Sequence, residues 1–202
     1  MNVILSGASG TIGSAVHDAL TDRHDVVGVG RSSGDVQADL SDPDSIRALY
    51  EKVGTFDAVV SAAGNAAFSP LDELTDEDFE LSLSSKLMGQ VNLVRYGLDH
   101  IHTDANPSFT LVTGVLSTNP IPGSAAVSMV NCGVEGFMRG AALEAPDGIR
   151  VNAVSPPWVS ETLEEMGEDP SDGLPAATVA EAFVDSVEGD ANGEVIDARD
   201  YA

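Results

Sequence analysis

The chain has 202 residues, a length typical of one domain with a sizeable core. Its formal net charge is −24, from 33 acidic against 9 basic residues, which argues against nucleic acid and anionic membranes as partners because both would repel it. The acids are scattered along the chain and lysine occurs only at Lys52 and Lys86. This pattern favours adaptation to high intracellular salt; an acidic protein with a basic partner is the alternative.

One cysteine, Cys132, allows no internal disulfide and fits a reducing cytoplasm. We expect no signal peptide, because an apolar strand begins at once and no basic segment precedes it. No apolar stretch approaches the ~20 residues needed to cross a bilayer, so the expected location is cytoplasmic.

The apolar segment 3–5 is followed directly by a glycine-rich run and then by apolar residues at helical spacing. This pattern predicts a strand, a tight turn and a helix. The backbone N–H groups of such a turn, with the positive end of the helix, suit the pyrophosphate of a dinucleotide; a plain turn without a ligand is the alternative. The residues assigned to this contact are Gly7, Ser9, Gly10, Thr11, Ile12 and Gly13.

The second apolar run, 26–29, ends at the place where a dinucleotide fold meets the adenosine ribose. An acidic residue there would accept a hydrogen bond from the ribose of NAD, whereas this chain has Arg31, Ser32 and Ser33. A guanidinium beside two hydroxyls suits a 2′-phosphate, so the sequence favours NADP over NAD. The alternative is that Arg31 is a solvated loop cation.

Strand and helix patterns alternate along the rest of the chain. Strands are predicted near residues 2–6, 25–30, 36–38, 57–61, 108–113, 149–154 and 193–198. Helices are predicted near 11–22, 43–53, 75–101, 124–145 and 176–188. The alternation indicates an α/β fold, a Rossmann-type doubly wound parallel sheet of about seven strands with helices on both faces, in one domain over 1–202. The acidic stretch 160–175 is expected to be the least structured.

These residues together resemble the short-chain dehydrogenase/reductase family over almost the whole chain. The segments that match are 7–13, 39–40, 61–64, 148–156 and 193–197. The resemblance implies that Asp39 and Leu40 flank the adenine of the coenzyme, and that Ala62, Ala63 and Gly64 line its ribose. It also implies that Pro156, Trp158 and Val159 face the nicotinamide. Compared with most members of the family, 160–175 is a shortened substrate lid, which suggests an open cleft, a small substrate or a vestigial lid.

Members of the family that transfer hydride use an Asn, a Ser, a Tyr and a Lys. Aligned on the family pattern, those positions hold Lys86, Gly114, Val127 and Asn131 in this chain. None of the chain's three tyrosines has a lysine four residues later. The chain also resembles a branch of the family in which these positions are replaced together. Because valine cannot transfer a proton, the replacement suggests a different chemistry or none.

Lys86 is the main candidate for a substitute. An ammonium partly desolvated near a coenzyme shifts its pKa toward neutrality and acts as acid or base, or it holds the ribose; a helix-surface lysine with no role is the alternative. Thr113, Ser128 and Asn131 are further candidates near the same cleft, more typical of substrate binding or helix packing than of catalysis. Ser124 and Ser128 are expected to share a helix face with Asn131.

Other reactive residues have ordinary explanations. Cys132 lies on an apolar helix and is expected to be buried and inert. His100 and His102 with Asp99 and Asp104 end a helix in a charged loop, so no metal is assigned. Trp158 is either a wall of the substrate pocket or a core residue.

The first functional hypothesis is an NADP-dependent oxidoreductase acting on a small carbonyl compound or alcohol. The second is a catalytically silent NADP-binding sensor or scaffold, which the missing Tyr and Lys favour. A non-redox isomerase that uses bound coenzyme is a third. The resemblance further implies a homodimer or homotetramer formed through the two long helices, 75–101 and 124–145.

Overall fold

The computed structural model describes residues 1–102 and 106–202, so Asp104 lies outside the described residues. Within those ranges seven strands form one sheet in the order β3-β2-β1-β4-β5-β6-β7, with every neighbouring pair parallel. The strands are β1 (Asn2–Ser6), β2 (Asp25–Gly30), β3 (Val36–Gln37), β4 (Ala58–Ser61), β5 (Ser108–Val112), β6 (Arg150–Ser155) and β7 (Val195–Asp197). The predicted α/β, doubly wound Rossmann-type fold is confirmed.

The helices begin at capping signals that the sequence contains. Asp42 accepts a hydrogen bond from the Asp44 amide at the start of α2, and Thr75 and Asp78 form a reciprocal capping box at the start of α3. The helices are α1 (Thr11–Thr21), α2 (Pro43–Val53), α3 (Asp76–Ser82), α4 (Gly89–Gly97), α5 (Ala125–Glu144), α6 (Ser160–Met166) and α7 (Ala176–Glu188). None of them, across the described ranges, is long and apolar enough to cross a membrane.

The sheet has a buried core on each face because its strands are covered by helices on both sides. Along β1 the side chains alternate: Ile4 joins one core cluster, while Val3 and Leu5 join the other. All three are fully buried, and burying such a side chain contributes about 1.5–3 kcal/mol. The near-continuous apolar runs of the strands are explained by this two-sided burial.

The strand order reverses between β1 and β4, which lie side by side although the chain visits β2 and β3 between them. In a parallel sheet the carboxyl ends of all strands meet at one edge, and a crevice opens where the order reverses. The loops after β1, β2, β4, β5 and β6 therefore come together along that edge. Most of the residues assigned from the sequence lie in these loops.

Two predictions of local structure were wrong. The helix expected over 75–101 ends at Gly97, and its middle, Leu83–Met88, is a π-helical segment. The stretch 160–175 is not the least structured one, since it contains α6 and a 3-10 turn. The Glu161 carboxylate accepts a hydrogen bond from the first amide of α7 at 2.9 Å, a long-range cap that local composition does not reveal.

Candidate active site

The turn after β1 requires glycine for steric reasons. Gly7 has φ +84°, and a Cβ on it would lie 2.8 Å from the Ala62 carbonyl oxygen. A Cβ on Gly13 would lie only 1.9 Å from the Gly7 carbonyl oxygen. Gly10, at the N-cap of α1, has no side chain to cap the helix, so the positive end of α1 is available to an anion. These features fit the diphosphate of a dinucleotide.

A cavity of about 320 Å³ lies over this turn at the carboxyl edge of the sheet. Of the residues assigned to the coenzyme, those that line it are Gly7, Ser9, Gly10, Arg31, Asp39, Leu40, Ala62, Ala63 and Gly64. Lining residues that the sequence reasoning missed are Ser6, Gly30, Ala38, Asn65 and Ser85. Each of them is next in the chain to a residue singled out from the sequence, and that neighbourhood is the only feature by which the sequence could have identified them.

The remaining residues assigned to the coenzyme lie elsewhere. Thr11 lines an adjoining surface cavity together with Ser9 and Gly10. Ile12 packs against a core cluster, and Gly13 is buried beneath the turn. Ser32 is exposed and does not line the cavity. Its carbonyl oxygen accepts a hydrogen bond from the side-chain amide of Gln37.

The end of the cavity near β2 and β3 is positively charged at Arg31, which is exposed. Asp39 accepts hydrogen bonds from the Ser41 hydroxyl at 2.7 Å and from the Ser41 amide at 2.9 Å. These two bonds, with a smaller effect of Arg31, hold the pKa of Asp39 below its ordinary value. The Ser33 hydroxyl donates to the Ser9 hydroxyl at 3.2 Å, which brings the β2 loop against the glycine turn.

A second cavity, of about 340 Å³, adjoins the first. The four positions at which the sequence departs from the family pattern all line it, namely Lys86, Gly114, Val127 and Asn131. Thr113 is a further polar lining residue. The other walls are Ala66, Phe68, Val115, Leu116, Pro156, Pro157 and Trp158. The second cavity is therefore mostly apolar, with its polar groups on few side chains.

Lys86 lies in the π-helical segment and is only 9% exposed. A Cβ on Gly64, a residue of the first cavity, would lie 2.9 Å from Cδ of Lys86, so the lysine stem packs against the wall between the two cavities. Burial lowers the pKa of Lys86 to about 8. The group is thus a proton donor or acceptor close to neutral pH. In the sequence, the feature that pointed to Lys86 was the scarcity of lysine.

Gln90 positions this part of the chain, and the sequence reasoning missed it. Its side-chain amide is fully buried, donates to the Lys86 carbonyl oxygen at 3.0 Å and to the Val112 carbonyl oxygen at 2.9 Å, and accepts from the Val112 amide at 2.7 Å. It therefore ties the end of β5 to the turn that holds Lys86. Nothing in its sequence neighbourhood distinguishes it from an ordinary helix glutamine.

The other polar candidates differ in what they contact. The Thr113 hydroxyl lies 3.1 Å from Oε1 of buried Glu135, to which it donates. The Ser128 hydroxyl donates to Ser124 at 3.0 Å, and Ser128 does not line the cavity. Asn131 is 2% exposed, and its Oδ1 has no hydrogen-bond partner among the described residues. The Oδ1 of Asn131 is thus a buried acceptor left unpaired among the described residues, whereas both hydroxyls are used within the protein.

Three further side chains singled out from the sequence, Cys132, Trp158 and Val159, differ in their exposure and packing. Cys132 is exposed, not buried, because it follows Asn131 and points about 100° away around the helix. Trp158 is a wall of the second cavity and packs edge-on against Phe68, with ring centroids 5.9 Å apart. Val159 is buried in the core beside α6. No cluster of three or more metal-binding side chains occurs in 1–102 or 106–202.

Residues 2–189 match the family model described as enoyl-(acyl carrier protein) reductase. The chain is 31% identical over 140 residues to the hydroxynaphthalene reductase arp2 of Aspergillus fumigatus, a match that covers 67% of this chain and 50% of that protein. It is 28% identical over 131 residues to the 3-oxoacyl-(acyl-carrier-protein) reductase FabG of Thermotoga maritima, covering 62% of this chain and 53% of that protein. The chain thus spans about half the length of these two curated relatives.

Among solved structures, the protein lin1944 from Listeria innocua is 45% identical, with a TM-score of 0.93 and 98% of each chain covered. A small-chain dehydrogenase in complex with NADPH is 22% identical, with a TM-score of 0.85, and the match covers 98% of this chain and 95% of that one. At that identity the second likeness shows the fold alone.

Proposed function

We propose, since this chain belongs to the short-chain dehydrogenase/reductase family, that it is an NADP-dependent oxidoreductase that interconverts a small carbonyl compound and its alcohol. The observation that carries the proposal is the position of Lys86. Lys86 lines the second cavity and is nine-tenths buried, while its stem packs against Gly64 of the first cavity. A proton donor thus lies where a coenzyme and a substrate would meet.

The chemistry divides between the coenzyme and this chain's residues. When bound, reduced NADP supplies a hydride to the carbonyl carbon and leaves oxidised. Lys86 donates the proton that the carbonyl oxygen requires and is reprotonated from solvent. The side-chain amide of Asn131, which lines the second cavity, donates a hydrogen bond to the substrate oxygen. Gln90 keeps Lys86 in place through the hydrogen bond to its carbonyl oxygen.

The proposal is tested by the consumption of NADPH with a panel of small ketones, aldehydes and oxo acids in concentrated KCl. Saturable NADPH binding, with NADPH oxidised by at least one class of these compounds, supports it. Val127 favours the second candidate function, a silent NADP-binding sensor, because a valine at a cavity wall transfers no proton. NADPH binding without oxidation across the whole panel would support the sensor, and no NADPH binding would refute both.

The choice of NADP rests on Arg31. We expect Arg31→Ala to weaken NADPH binding about 10- to 100-fold, because charge-assisted hydrogen bonds to a phosphate contribute about 1.5–3 kcal/mol. NADH binding should change little, since NADH has no 2′-phosphate. Coenzyme fluorescence titrations measure both affinities. Arg23→Ala is the matched control, because Arg23 pairs with Glu188 and lies outside the lining of the cavity. Equal losses for NADPH and NADH would contradict the assignment.

We also propose that two copies associate through the groove between α4 and α5. The groove has a volume of about 310 Å³, and its apolar lining includes Val94, Leu98 and Phe137. In a two-fold dimer the same surface of both copies meets, so one apolar groove can supply both sides of the interface. The same helices were assigned to the interface from the resemblance.

The dimer is tested with Gly140→Arg. Gly140 lines this groove, and a Cβ added to it would have nothing within 4 Å, so the protomer has room for the larger side chain. We expect the variant to elute as a monomer in light-scattering chromatography, with thermal stability of the protomer otherwise kept. A variant that remains dimeric would place the interface elsewhere.

The charge distribution supports work in a cytoplasm of high salt concentration. The net charge of −24 is spread over the chain, and self-repulsion of that size is weakened when salt screens exposed charges. All assays proposed for this protein therefore use concentrated KCl.

A further inference from the structure

The second cavity contains a cation without a counter-ion. Lys86 is the one charged side chain among its lining residues, and none of the chain's acidic residues described by the structure lines it. No salt bridge or side-chain hydrogen bond of Lys86 occurs within 1–102 and 106–202. A buried charge without a partner is costly, so the cavity suits a ligand that brings the missing negative charge. In a chain of net charge −24, acids are abundant elsewhere yet absent from this wall.

The rest of the wall sets the size and character of that ligand. Phe68 and Trp158 meet edge-on at 5.9 Å, and Leu116 and Val127 are further apolar walls. A volume of about 340 Å³ admits a small branched or aromatic body next to the charged group. The ligand is therefore an anion with a compact apolar part.

One lysine must also serve two groups. Under the proposed function, on which this inference rests, Lys86 donates the proton to the carbonyl oxygen, and the same ammonium is the cavity's sole positive charge among the described lining residues. An ammonium has three N–H donors on one nitrogen, so it contacts a carbonyl oxygen and a carboxylate oxygen together most readily when the two groups are adjacent and already close in space. A carboxylate farther along the ligand would reach the same ammonium only in a folded conformation, at a cost in conformational entropy.

We propose that the substrate is a small α-oxo acid with an apolar side chain, reduced to the corresponding α-hydroxy acid. The carbonyl carbon gains a hydride from the reduced coenzyme, and the carbonyl oxygen gains a proton from Lys86. The oxo acid is reduced and the coenzyme is oxidised. The neutral amine then takes a proton from water. The carboxylate is unchanged; it pairs with Lys86 while the amine is protonated and stays hydrogen-bonded to it otherwise, and the side-chain amide of Asn131 donates to the hydroxyl oxygen of the product.

Trp158 provides a readout that needs no turnover, since it is the chain's single tryptophan and lines the cavity. The protein, saturated with oxidised NADP, is titrated with α-ketoisocaproate, with its uncharged amide and with levulinate, a γ-oxo acid, while tryptophan fluorescence is followed. We expect α-ketoisocaproate to bind at least ~10-fold more tightly than the other two, because its carboxylate, next to the carbonyl group, forms a charge-assisted hydrogen bond with the Lys86 ammonium. Lys86→Met should reduce that preference to about one. Lys52→Met, which alters the other lysine on exposed surface, should preserve it.

Equal affinity for the acid and its amide, or an unchanged preference in Lys86→Met, would overturn the anion site. Equal affinity for levulinate would overturn the requirement for adjacent groups. These results are separable from the proposed function, because NADPH binding is measured independently. If NADPH were consumed with neutral ketones but no oxo acid preference were found, the oxidoreductase would stand and this substrate class would fall. If NADPH failed to bind, the proposed function itself would fall.

Discussion

Lys86→Met is expected to slow carbonyl reduction by about 10²- to 10⁴-fold and, at the same time, to stabilise the coenzyme-free protein. Burial lowers the pKa of the Lys86 ammonium from its ordinary value of 10.5 to about 8, so the folded state binds this proton more weakly than the unfolded state. Methionine has a similar length and no charge. The expected gain in the free energy of unfolding at pH 7 is about 3 kcal/mol, since each pKa unit corresponds to 1.36 kcal/mol.

The sign of the pH dependence follows from the same shift. Below pH 8 both states are protonated and the full penalty is present in the wild-type protein; as pH rises from about 8 toward 10.5, only the unfolded state keeps the proton and the penalty disappears. Denaturant unfolding at pH 7 and pH 10 should therefore show a large difference between wild type and variant at pH 7 and a small one at pH 10. A variant less stable than wild type at pH 7 would contradict this account of the cavity.

The catalytic half of the prediction is measured by steady-state kinetics. The loss in kcat should be about 10²- to 10⁴-fold, the usual contribution of a positioned acid. Wild-type kcat/KM for reduction should fall as pH rises through about 8, because the donor must be protonated. Lys86 is the one titratable group among the described lining residues of the cavity, and Glu135 lies behind Thr113 and pairs with Arg139. Lys52→Met should leave the profile unchanged, and a wild-type rate in Lys86→Met would refute the role.

Gly13→Ala is expected to cost at least ~3 kcal/mol of stability and to remove coenzyme binding. The added Cβ would lie 1.9 Å from the carbonyl oxygen and 2.6 Å from the carbonyl carbon of Gly7. Both are backbone atoms of the turn, so relief requires the turn and the start of α1 to move apart. Thermal unfolding and NADPH titration measure the two effects.

Gly10→Ala is the matched control three residues earlier. Its Cβ would have one neighbour, the Gly7 carbonyl oxygen at 3.4 Å, which is an ordinary contact, so the fold should be kept. Gly10 lines the first cavity, and we expect NADPH to bind more weakly without a large change in melting temperature. Wild-type stability and coenzyme affinity in Gly13→Ala would show that the turn is not built as described.

The first cavity was accessible from the sequence because its signals are local. Gly7, Gly10 and Gly13 lie within one turn, and Arg31 directly follows β2. Short-range steric effects determine the backbone conformation of such segments, so a few neighbouring residues are enough to recognise them. The same holds for the strands and for most helices, whose periodicity and caps are encoded within about a dozen residues.

Other features depend on contacts between distant parts of the chain. Glu161, near the start of the segment 160–175, caps α7, which begins just after that segment. Because this contact is not local, the sequence of 160–175 considered alone looks unstructured. Gln90 ties β5 to the turn of Lys86, and Glu135 lies behind Thr113, although neither belongs to a motif. Ser128 donates to Ser124, as the predicted common helix face requires, but it does not line the second cavity.

The amino-acid order alone determined the parallel sheet, the glycine turn and the unusual residues at the family's reactive positions. Only the folded chain decided that Lys86 is buried without a counter-charge among the described residues, that the side chain of Asn131 is buried, and that the two line one cavity. The physical reason is that periodicity and turn preferences act between near neighbours, whereas desolvation, and with it the acidity of Lys86, is the summed effect of side chains that only the crossovers of the sheet bring together.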